Sequence, residues 1–192
     1  MAGTVDVGAR SESLQVQRNG AIQQSATLAP IDVIVSGLKR AGVDLVTSLP
    51  DKWLNGLIAA IDADGAFTHL RITREEEGLG ICAGAYIGGR KGVLICQTAG
   101  LLLSVNTLAA YVHLHRLPVL ILAAHRGTVE DQFFFQMYKG QVIEGVLDAI
   151  SVKHFLVTAP EEAPLVEDAV RYAELQRAPV VVLLGRRVLT GS

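Results

Sequence analysis

The segment around which this chain is organised is Thr73–Tyr86, which reads TREEEGLGICAGAY. It follows a β-prone run at 67–72. After Thr73 and Arg74 come three consecutive glutamates, and then a helix of mostly small residues. Acidic side chains in a first helical turn interact favourably with the positive end of the helix dipole. Glycine and alanine over the next three turns let another backbone approach closely. We therefore predict a helix buried against a partner, with at least one carboxylate carried into the contact.

The composition is that of one apolar domain, long enough for an α/β fold. The chain has 192 residues, of which 50% are hydrophobic and 19% are charged. This is more apolar than a typical soluble domain and suggests surface reserved for another chain. The formal net charge of −2 gives no reason to expect nucleic acid or an anionic membrane as a partner. The longest apolar runs, at 117–124 and 179–184, are far shorter than the roughly 20 residues of a membrane span.

The cysteines and the N-terminal region bear on compartment and domain boundaries. Cys82 and Cys96 have no CxxC spacing and no helper histidines nearby in sequence, so we expect buried thiols in a reducing cytoplasm. Residues 1–29 lack the apolar stretch of a secretory signal and are rich in Gln, Ser, Gly and Ala. We expect them to be a disordered extension, followed by one domain at 30–192.

Strand-like and helix-like segments alternate along this domain. Strands are predicted at 43–49, 67–72, 92–96, 118–124, 154–158 and 180–184. The connections between them are predicted to be helical, including 101–114, except for an irregular segment at 128–140 that precedes a helix at 142–150. The alternation predicts an α/β fold with a doubly wound, mainly parallel sheet and helices on both faces. Functional loops of such sheets lie at the carboxyl ends of the strands, here 50–53, 73–77, 97–100 and 125–127.

Helical periodicity narrows the choice among the three glutamates without completing it. Successive helical residues point about 100° apart, so three in a row cannot all face one side. Glu76 shares its face with Gly80, Ala83 and Ile87, which fits burial against a partner. On periodicity alone, Glu76 and Glu77 remain nearly tied.

Charged residues also follow two other predicted strands. His125 and Arg126 stand at the end of a buried strand, where a ligand contact and a structural ion pair are about equally open. Asp51 and Lys52 follow the first strand, with a helix cap and a surface position as their simpler interpretations. His113 and His115 are two positions apart on a predicted helix and so point to different sides, and no metal site is predicted.

With these loops placed, the chain resembles the α subunit of sulfopyruvate decarboxylase and the related phosphonopyruvate decarboxylases. The resemblance covers about 31–189 and is carried by 50–54, Thr73–Tyr86, 97–100 with Asn106 downstream, and 125–127. Members of this family are thiamine-diphosphate enzymes, and the matching part is their pyrimidine-binding (PYR) domain. The resemblance therefore implies a thiamine-diphosphate-binding fold of the PYR type.

The resemblance also distinguishes between the two glutamates. In this family a PYR-domain glutamate stands ten residues before a tyrosine, and counting back from Tyr86 gives Glu76. In such enzymes the carboxylate hydrogen-bonds N1′ of the aminopyrimidine and favours its imino tautomer, which removes the C2 proton of the thiazolium. The cofactor then holds the electrons released when a 2-oxoacid loses CO₂. Glu76 is therefore the expected catalytic residue.

The remaining site residues follow by analogy with the family. The expected cofactor contacts are Pro50, Glu76, Gln97, Thr98, Ala99 and Gly100. The expected substrate contacts are Asp51, Lys52, Gln97, His125 and Arg126. From their position and charge, Lys52 and Arg126 are the candidates for holding a distal sulfonate or phosphonate.

Two departures from the family pattern bear on function. Members often carry a Gly-Leu-Gly-Asn-type turn where this chain has GLLLS at 100–104, which leaves the substrate open. The Gly-Asp-Gly…Asn motif that holds Mg²⁺ and the diphosphate is absent from the sequence. The resemblance thus implies half an active site, completed by a β subunit with the diphosphate-binding (PP) domain and the Mg²⁺ ligands.

The sequence therefore predicts the α subunit of a two-chain, thiamine-diphosphate-dependent 2-oxoacid decarboxylase. It would be a cytoplasmic carbon–carbon lyase, active only with its partner, that contains at least a pair of α chains and acts on a small 2-oxoacid with a distal acidic group. One alternative is a carboligase or another 2-oxoacid decarboxylase subunit on the same scaffold. The other is a non-catalytic scaffold partner of a PP-domain chain.

Overall fold

The structure is a computed structural model that describes residues 28–191, so the extension predicted at 1–29 lies almost entirely outside the described residues. Its strands are β1 Leu45–Ser48, β2 Thr68–Arg71, β3 Gly92–Gln97, β4 Leu120–Ala124, β5 Lys153–Val157 and β6 Val180–Leu184. Its main helices are α1 Pro30–Arg40, α2 Asn55–Ala63, α3 Glu75–Ile87, α4 Thr98–Leu103, α5 Phe134–Ala149, α6 Leu165–Gln176 and α7 Arg186–Thr190. Shorter helical pieces lie at Val105–Thr107, at Leu108–His113 (a π-helix) and at Pro160–Glu162.

All six strands form one parallel sheet in the order β2-β1-β3-β4-β6-β5, which confirms the predicted doubly wound α/β fold. The order reverses between β1 and β3, and open sheets of this kind bind ligands outside the carboxyl ends of the strands at such a point. Among the described helices, none is both long and apolar enough to cross a membrane.

Two hydrophobic cores lie on opposite faces of the sheet. The first joins the sheet to α1, α2, α6 and α7, and the second joins it to α3, α4 and α5. Alternate strand residues serve the two cores, with Ile95 in the first and Leu94 and Cys96 in the second. Because strand side chains alternate between faces, the strands that are buried on both faces read as continuous apolar runs. The helices α3, α4 and α5 therefore lie on the same face of the sheet.

The predicted loop at 97–100 is instead the last residue of β3 and the first turn of α4. The Thr98 hydroxyl donates to the carbonyl of Ala124 at 2.7 Å and accepts from the backbone N–H of Arg126 at 3.1 Å, which ties α4 directly to the end of β4. The helix predicted at 101–114 also does not run unbroken. The Ser104 hydroxyl bonds back to the carbonyl of Gly100 at 2.8 Å, and side-chain bonds of this kind bend or interrupt helices.

The segment predicted as irregular at 128–140 is helical from Phe134 onward, so that part of the prediction was wrong. Its buried residues Gln136, Ile143 and Leu147 repeat at helical spacing along α5. Aromatic and glycine residues with weak helix propensity obscure this spacing in the sequence. Packing on the second core outweighs that weak propensity.

Gly140 is where α5 makes its closest approach to the end of β4. A Cβ atom at this position would lie 2.5 Å from the carbonyl oxygen of Gly127 and 2.6 Å from that of Arg126. Since backbone atoms cannot swing aside, we expect Gly140→Ala to lower the free energy of unfolding by about 1–3 kcal/mol. Chemical denaturation of the isolated chain measures this change.

Gly145→Ala is the matched control for Gly140→Ala, since both glycines lie in α5. A Cβ atom at Gly145 would have nothing within 4 Å. There we expect a gain of up to about 1 kcal/mol from improved helix propensity. Gains at both positions would contradict the proposed steric role of Gly140.

Candidate active site

The first turn of α3 gives Glu76 and Glu77 different surroundings. Glu77 folds back on its own chain and accepts the backbone N–H and the hydroxyl of Thr73, both at 3.2 Å. Glu76 keeps 26% of its side chain exposed and pairs at 3.1 Å with Arg74, whose side chain is 73% exposed. Its own backbone N–H and the Arg74 guanidinium hold the pKa of Glu76 below its usual range. Glu76 is therefore an ionised carboxylate with free surface, paired with an exposed cation.

Glu75 is a buried carboxylate that sequence reasoning did not single out. It is 6% exposed, and its carboxylate packs so closely on Gly100 that any Cβ atom there would overlap it. Burial, and then the charge of Glu75, raise the pKa of the Cys96 thiol above its usual range. The side chain thereby joins the start of α3 to the start of α4. The available signal in the sequence was Gly100, a glycine in the segment that follows β3.

The outer face of α3 is uncovered in the single chain. Gly78 faces inward, where a Cβ atom would lie 2.6 Å from Cδ1 of Ile72. Gly80 and Gly84 would meet nothing within 4 Å, so no part of the described chain lies over them. Large hydrophobic side chains are exposed in α3, α4, α5 and the helical stretch between them, namely Ile87, Leu103, Tyr111, Leu114, Phe134, Phe135 and Tyr138. This face has the small-residue and apolar character expected of a contact with another chain.

The residues predicted to contact the cofactor differ in their accessibility. Pro50 is exposed after β1, and Gln97 and Ala99 are half-buried at the end of β3 and the start of α4. Thr98 and Gly100 are buried and support the structure, the first through its bonds to β4 and the second by admitting Glu75. Side-chain contacts with a ligand are therefore open to Gln97 but not to Thr98.

Arg126 is the centre of a buried ion network. Its side chain is 3% exposed and pairs with Asp51 at 2.6 Å and with Asp131 at 2.8 Å. Its guanidinium also lies 4.4 Å from the ring centroid of Trp53. Asp51 in turn accepts the backbone N–H of Trp53 at 2.9 Å, as expected for a residue that starts a helical turn. Two carboxylates already offset the arginine charge, so the geometry favours a structural ion pair over a substrate contact for both Asp51 and Arg126.

Asp131 is the member of this network that sequence reasoning missed. Burial alone would raise its pKa, but the Arg126 guanidinium and the backbone N–H groups of Gly127 and Phe133 outweigh burial and hold the pKa of Asp131 below its usual range. The Gly127 N–H donates to the carboxylate at 2.9 Å. No local pattern marks Asp131, because its partners are set by the turn that follows β4.

The structure does not bring Lys52 and His125 together. Lys52 is exposed and lines a cavity with Trp53, Arg186 and residues 130–133 of the turn that follows β4. His125 is buried, and neither of its ring nitrogens has a hydrogen-bond partner among the described residues. Burial lowers the pKa of His125, so the ring is held neutral beside Glu144 of α5.

The cysteines are free, buried thiols, in agreement with the sequence-based expectation. Burial raises the pKa of Cys82 to about 11, so the thiol stays protonated at neutral pH. Within residues 28–191, no cluster of three or more His, Cys, Asp or Glu side chains is arranged to hold a metal ion.

A parallel, doubly wound sheet with an accessible carboxylate at its carboxyl edge defines a ligand-binding α/β domain. Comparison with known families specifies which one. Residues 31–152 match the family described as "Thiamine pyrophosphate enzyme, N-terminal TPP binding domain", and the chain belongs to this family.

Individual relatives are similar over most of the chain. The sulfopyruvate decarboxylase subunit alpha of Methanococcus maripaludis is 34% identical over 154 residues, which cover 80% of this chain and 92% of that protein. The sulfopyruvate decarboxylase of Methanosarcina acetivorans is 28% identical over 163 residues, which cover 85% of this chain but only 42% of that protein. The solved structure of 2-oxoglutarate:ferredoxin oxidoreductase from Magnetococcus marinus shares the fold, with a TM-score of 0.67 and 19% identity over 84% of this chain and 29% of that one.

Proposed function

We propose that this chain is the α subunit of a thiamine-diphosphate-dependent decarboxylase whose substrate is a small 2-oxoacid with a distal sulfonate or phosphonate. The observation that carries this proposal is the 34% identity to a sulfopyruvate decarboxylase subunit alpha over 92% of that subunit. The similarity extends over nearly the whole of a named subunit, which is more than a shared cofactor-binding module would give.

The surroundings of Glu76 fit the cofactor this family is named for. An aminopyrimidine needs a hydrogen-bonding carboxylate at N1′, and Glu76 is ionised, partly exposed and paired with an arginine whose side chain is 73% exposed. Gln97, at the end of β3 on the same carboxyl edge of the sheet, offers a further polar side chain. When bound, thiamine diphosphate supplies the electron sink for decarboxylation. The contribution of this chain is to hold and polarise the aminopyrimidine through Glu76.

A PP-domain β subunit completes the proposed enzyme. More than half of the M. acetivorans sulfopyruvate decarboxylase has no counterpart in this chain, and the Gly-Asp-Gly…Asn motif for Mg²⁺ and diphosphate does not occur in its sequence. The uncovered glycine face of α3 lies directly behind Glu76 and supplies a surface for close contact. The Mg²⁺ ligands belong to the β subunit in this proposal, and at least two α chains take part because cofactor sites of this fold form at subunit contacts.

Release of CO₂ by reconstituted subunits tests the proposal. The chain is mixed with a candidate PP-domain subunit, thiamine diphosphate and Mg²⁺, and sulfopyruvate, phosphonopyruvate and pyruvate are compared, with each subunit alone as a control. We expect turnover only in the mixture and a preference for an acid with a distal anionic group. A stable complex that releases no CO₂ from any of the three acids would contradict decarboxylation and leave a carboligase or a non-catalytic partner.

A further inference from the structure

A substrate with a distal acidic group needs a cation near Glu76 and Gln97, and the two cations nominated from the sequence do not supply one. The charge of Arg126 is offset by two carboxylates in a buried network. Lys52 lines a cavity with Trp53, Asp131 and Arg186, and none of the residues that line it belongs to α3 or α4. At the edge that carries Glu76, the exposed Arg74 is paired with Glu76 itself at 3.1 Å, so its charge is already offset.

Lys139 is a cation on the correct face of the sheet. It lies in the first turns of α5, and α5 contacts α4, which contacts α3. The residue is half-buried, and its ammonium lies 5.7 Å from the ring centroid of Phe135 and donates to Oε1 of Gln136 at 3.2 Å. Across the described part of the chain it forms no ion pair with a carboxylate, in contrast to Arg126. Its charge is therefore available to a ligand.

The side-chain amides of Gln136 and Gln97 are oriented by their contacts with Lys139 and with each other. An ammonium group cannot accept a hydrogen bond, so the Gln136 atom facing it is the amide oxygen. The amide nitrogen of Gln136 then points to Oε1 of Gln97, at 3.5 Å. This leaves the NH₂ group of Gln97 directed away from Gln136. Gln136 is 5% exposed, so its buried side chain keeps this arrangement in place.

We propose that the ammonium of Lys139 and the amide NH₂ of Gln97 bind the distal sulfonate or phosphonate of the substrate, with Gln136 as a positioning residue between them. This inference rests on the proposed function, because it identifies what selects the acidic substrate at that site. Charge-assisted hydrogen bonds to a partly desolvated ammonium are among the stronger polar contacts in proteins. The preference for an acidic 2-oxoacid over pyruvate therefore depends on a residue of α5.

Steady-state kinetics of the assembled, cofactor-loaded complex test the assignment. Lys139→Met is expected to lower kcat/KM for sulfopyruvate about tenfold to a hundredfold, through KM, while kcat/KM for pyruvate changes less than about threefold. Lys139→Arg retains the charge and should recover most of the loss. Gln136→Glu places a carboxylate beside Lys139 and should reproduce the effect of Lys139→Met.

Lys153→Met is the matched control for Lys139→Met. Lys153 also lies over an aromatic ring, 4.9 Å from the centroid of Phe155, but it is on β5 at the edge of the sheet. We expect unchanged kinetics with both acids. Equal losses on sulfopyruvate and pyruvate in Lys139→Met, or no loss on either, would overturn the inference.

A binding measurement separates failure of this inference from failure of the proposed function. Titration calorimetry with sulfopyruvate is carried out on the Glu76→Gln complex with and without Lys139→Met, so that turnover during the titration is slow. A Kd at least about tenfold weaker with Lys139→Met supports the inference even if the wild-type complex releases no CO₂. An unchanged Kd overturns it even if the wild-type complex is an active decarboxylase, and so does the absence of binding to either form.

Discussion

Glu76→Gln is expected to lower the decarboxylation rate of the assembled enzyme by about 10²–10⁴-fold, the range found when a group that controls proton transfer is lost. The substitution keeps the size and shape of the side chain and removes its negative charge. A neutral amide cannot favour the protonated, imino form of the aminopyrimidine as a carboxylate does. Because Glu76 pairs, within residues 28–191, only with the exposed Arg74, folding and subunit assembly should be unaffected. CO₂ release, thermal unfolding and size-exclusion chromatography of the mixture measure these three outcomes.

Glu77→Gln is the control for Glu76→Gln, since the two carboxylates are neighbours in the first turn of α3. Glu77 accepts two hydrogen bonds from Thr73, and an amide oxygen can accept the same bonds. Activity should stay within about twofold of the wild type, as is usual for a surface position without a catalytic contact. Full activity in Glu76→Gln would contradict its proposed role. A large loss in Glu75→Gln alone would assign that role to the buried carboxylate.

Arg126→Met is expected to have the largest effect on stability, lowering the free energy of unfolding by about 3–5 kcal/mol. The substitution leaves Asp51 and Asp131 as buried carboxylates without their cation, and breaking a buried ion network in this way costs far more than the net value of the network. It also removes the guanidinium that packs on Trp53. Denaturant unfolding of the isolated chain measures the change.

Arg71→Met is the control for Arg126→Met. Arg71 pairs with Asp62 at 2.5 Å, but its side chain is 67% exposed. Stability should be nearly unchanged, because exposed ion pairs are screened by water and salt. Comparable losses in the two variants would show that burial of Asp51 and Asp131 does not govern the effect.

Acidification gives a second measurement of the same network. The folded pKa of Asp131 lies below its usual value of 3.8, so its contribution to stability is complete above that value and is lost as the pH falls through the folded pKa. We therefore expect wild-type stability to fall below about pH 4. In Arg126→Met, burial of Asp131 is no longer outweighed by the guanidinium, so this acid-dependent loss should be smaller.

The fold was accessible from the sequence because it depends on local patterns, whereas the choice of Glu76 stays a prediction that rests on the resemblance. The apolar run at 180–184 coincides with β6, and continuous runs of this kind indicate strands buried on both faces. Periodicity distinguishes the three glutamates at the start of α3 only in part. It gives the angles between their side chains but does not say which side chain faces the core. The resemblance through Tyr86 distinguished Glu76 from Glu77, and the Glu77–Thr73 bonds support that choice.

Contacts between distant segments were decided only by the tertiary structure. Asp51 and Arg126 are 75 positions apart, and they come into contact only because they lie at the ends of β1 and β4. This contact offsets the charge of Arg126, which the sequence suggested as a cation for binding the substrate. The same holds for Glu75 against Gly100 and for the series Lys139, Gln136 and Gln97, which joins α5 to β3. The physical reason is that hydrophobic periodicity reports which face of an element is buried. The partner of a charge depends on which segments the sheet brings side by side.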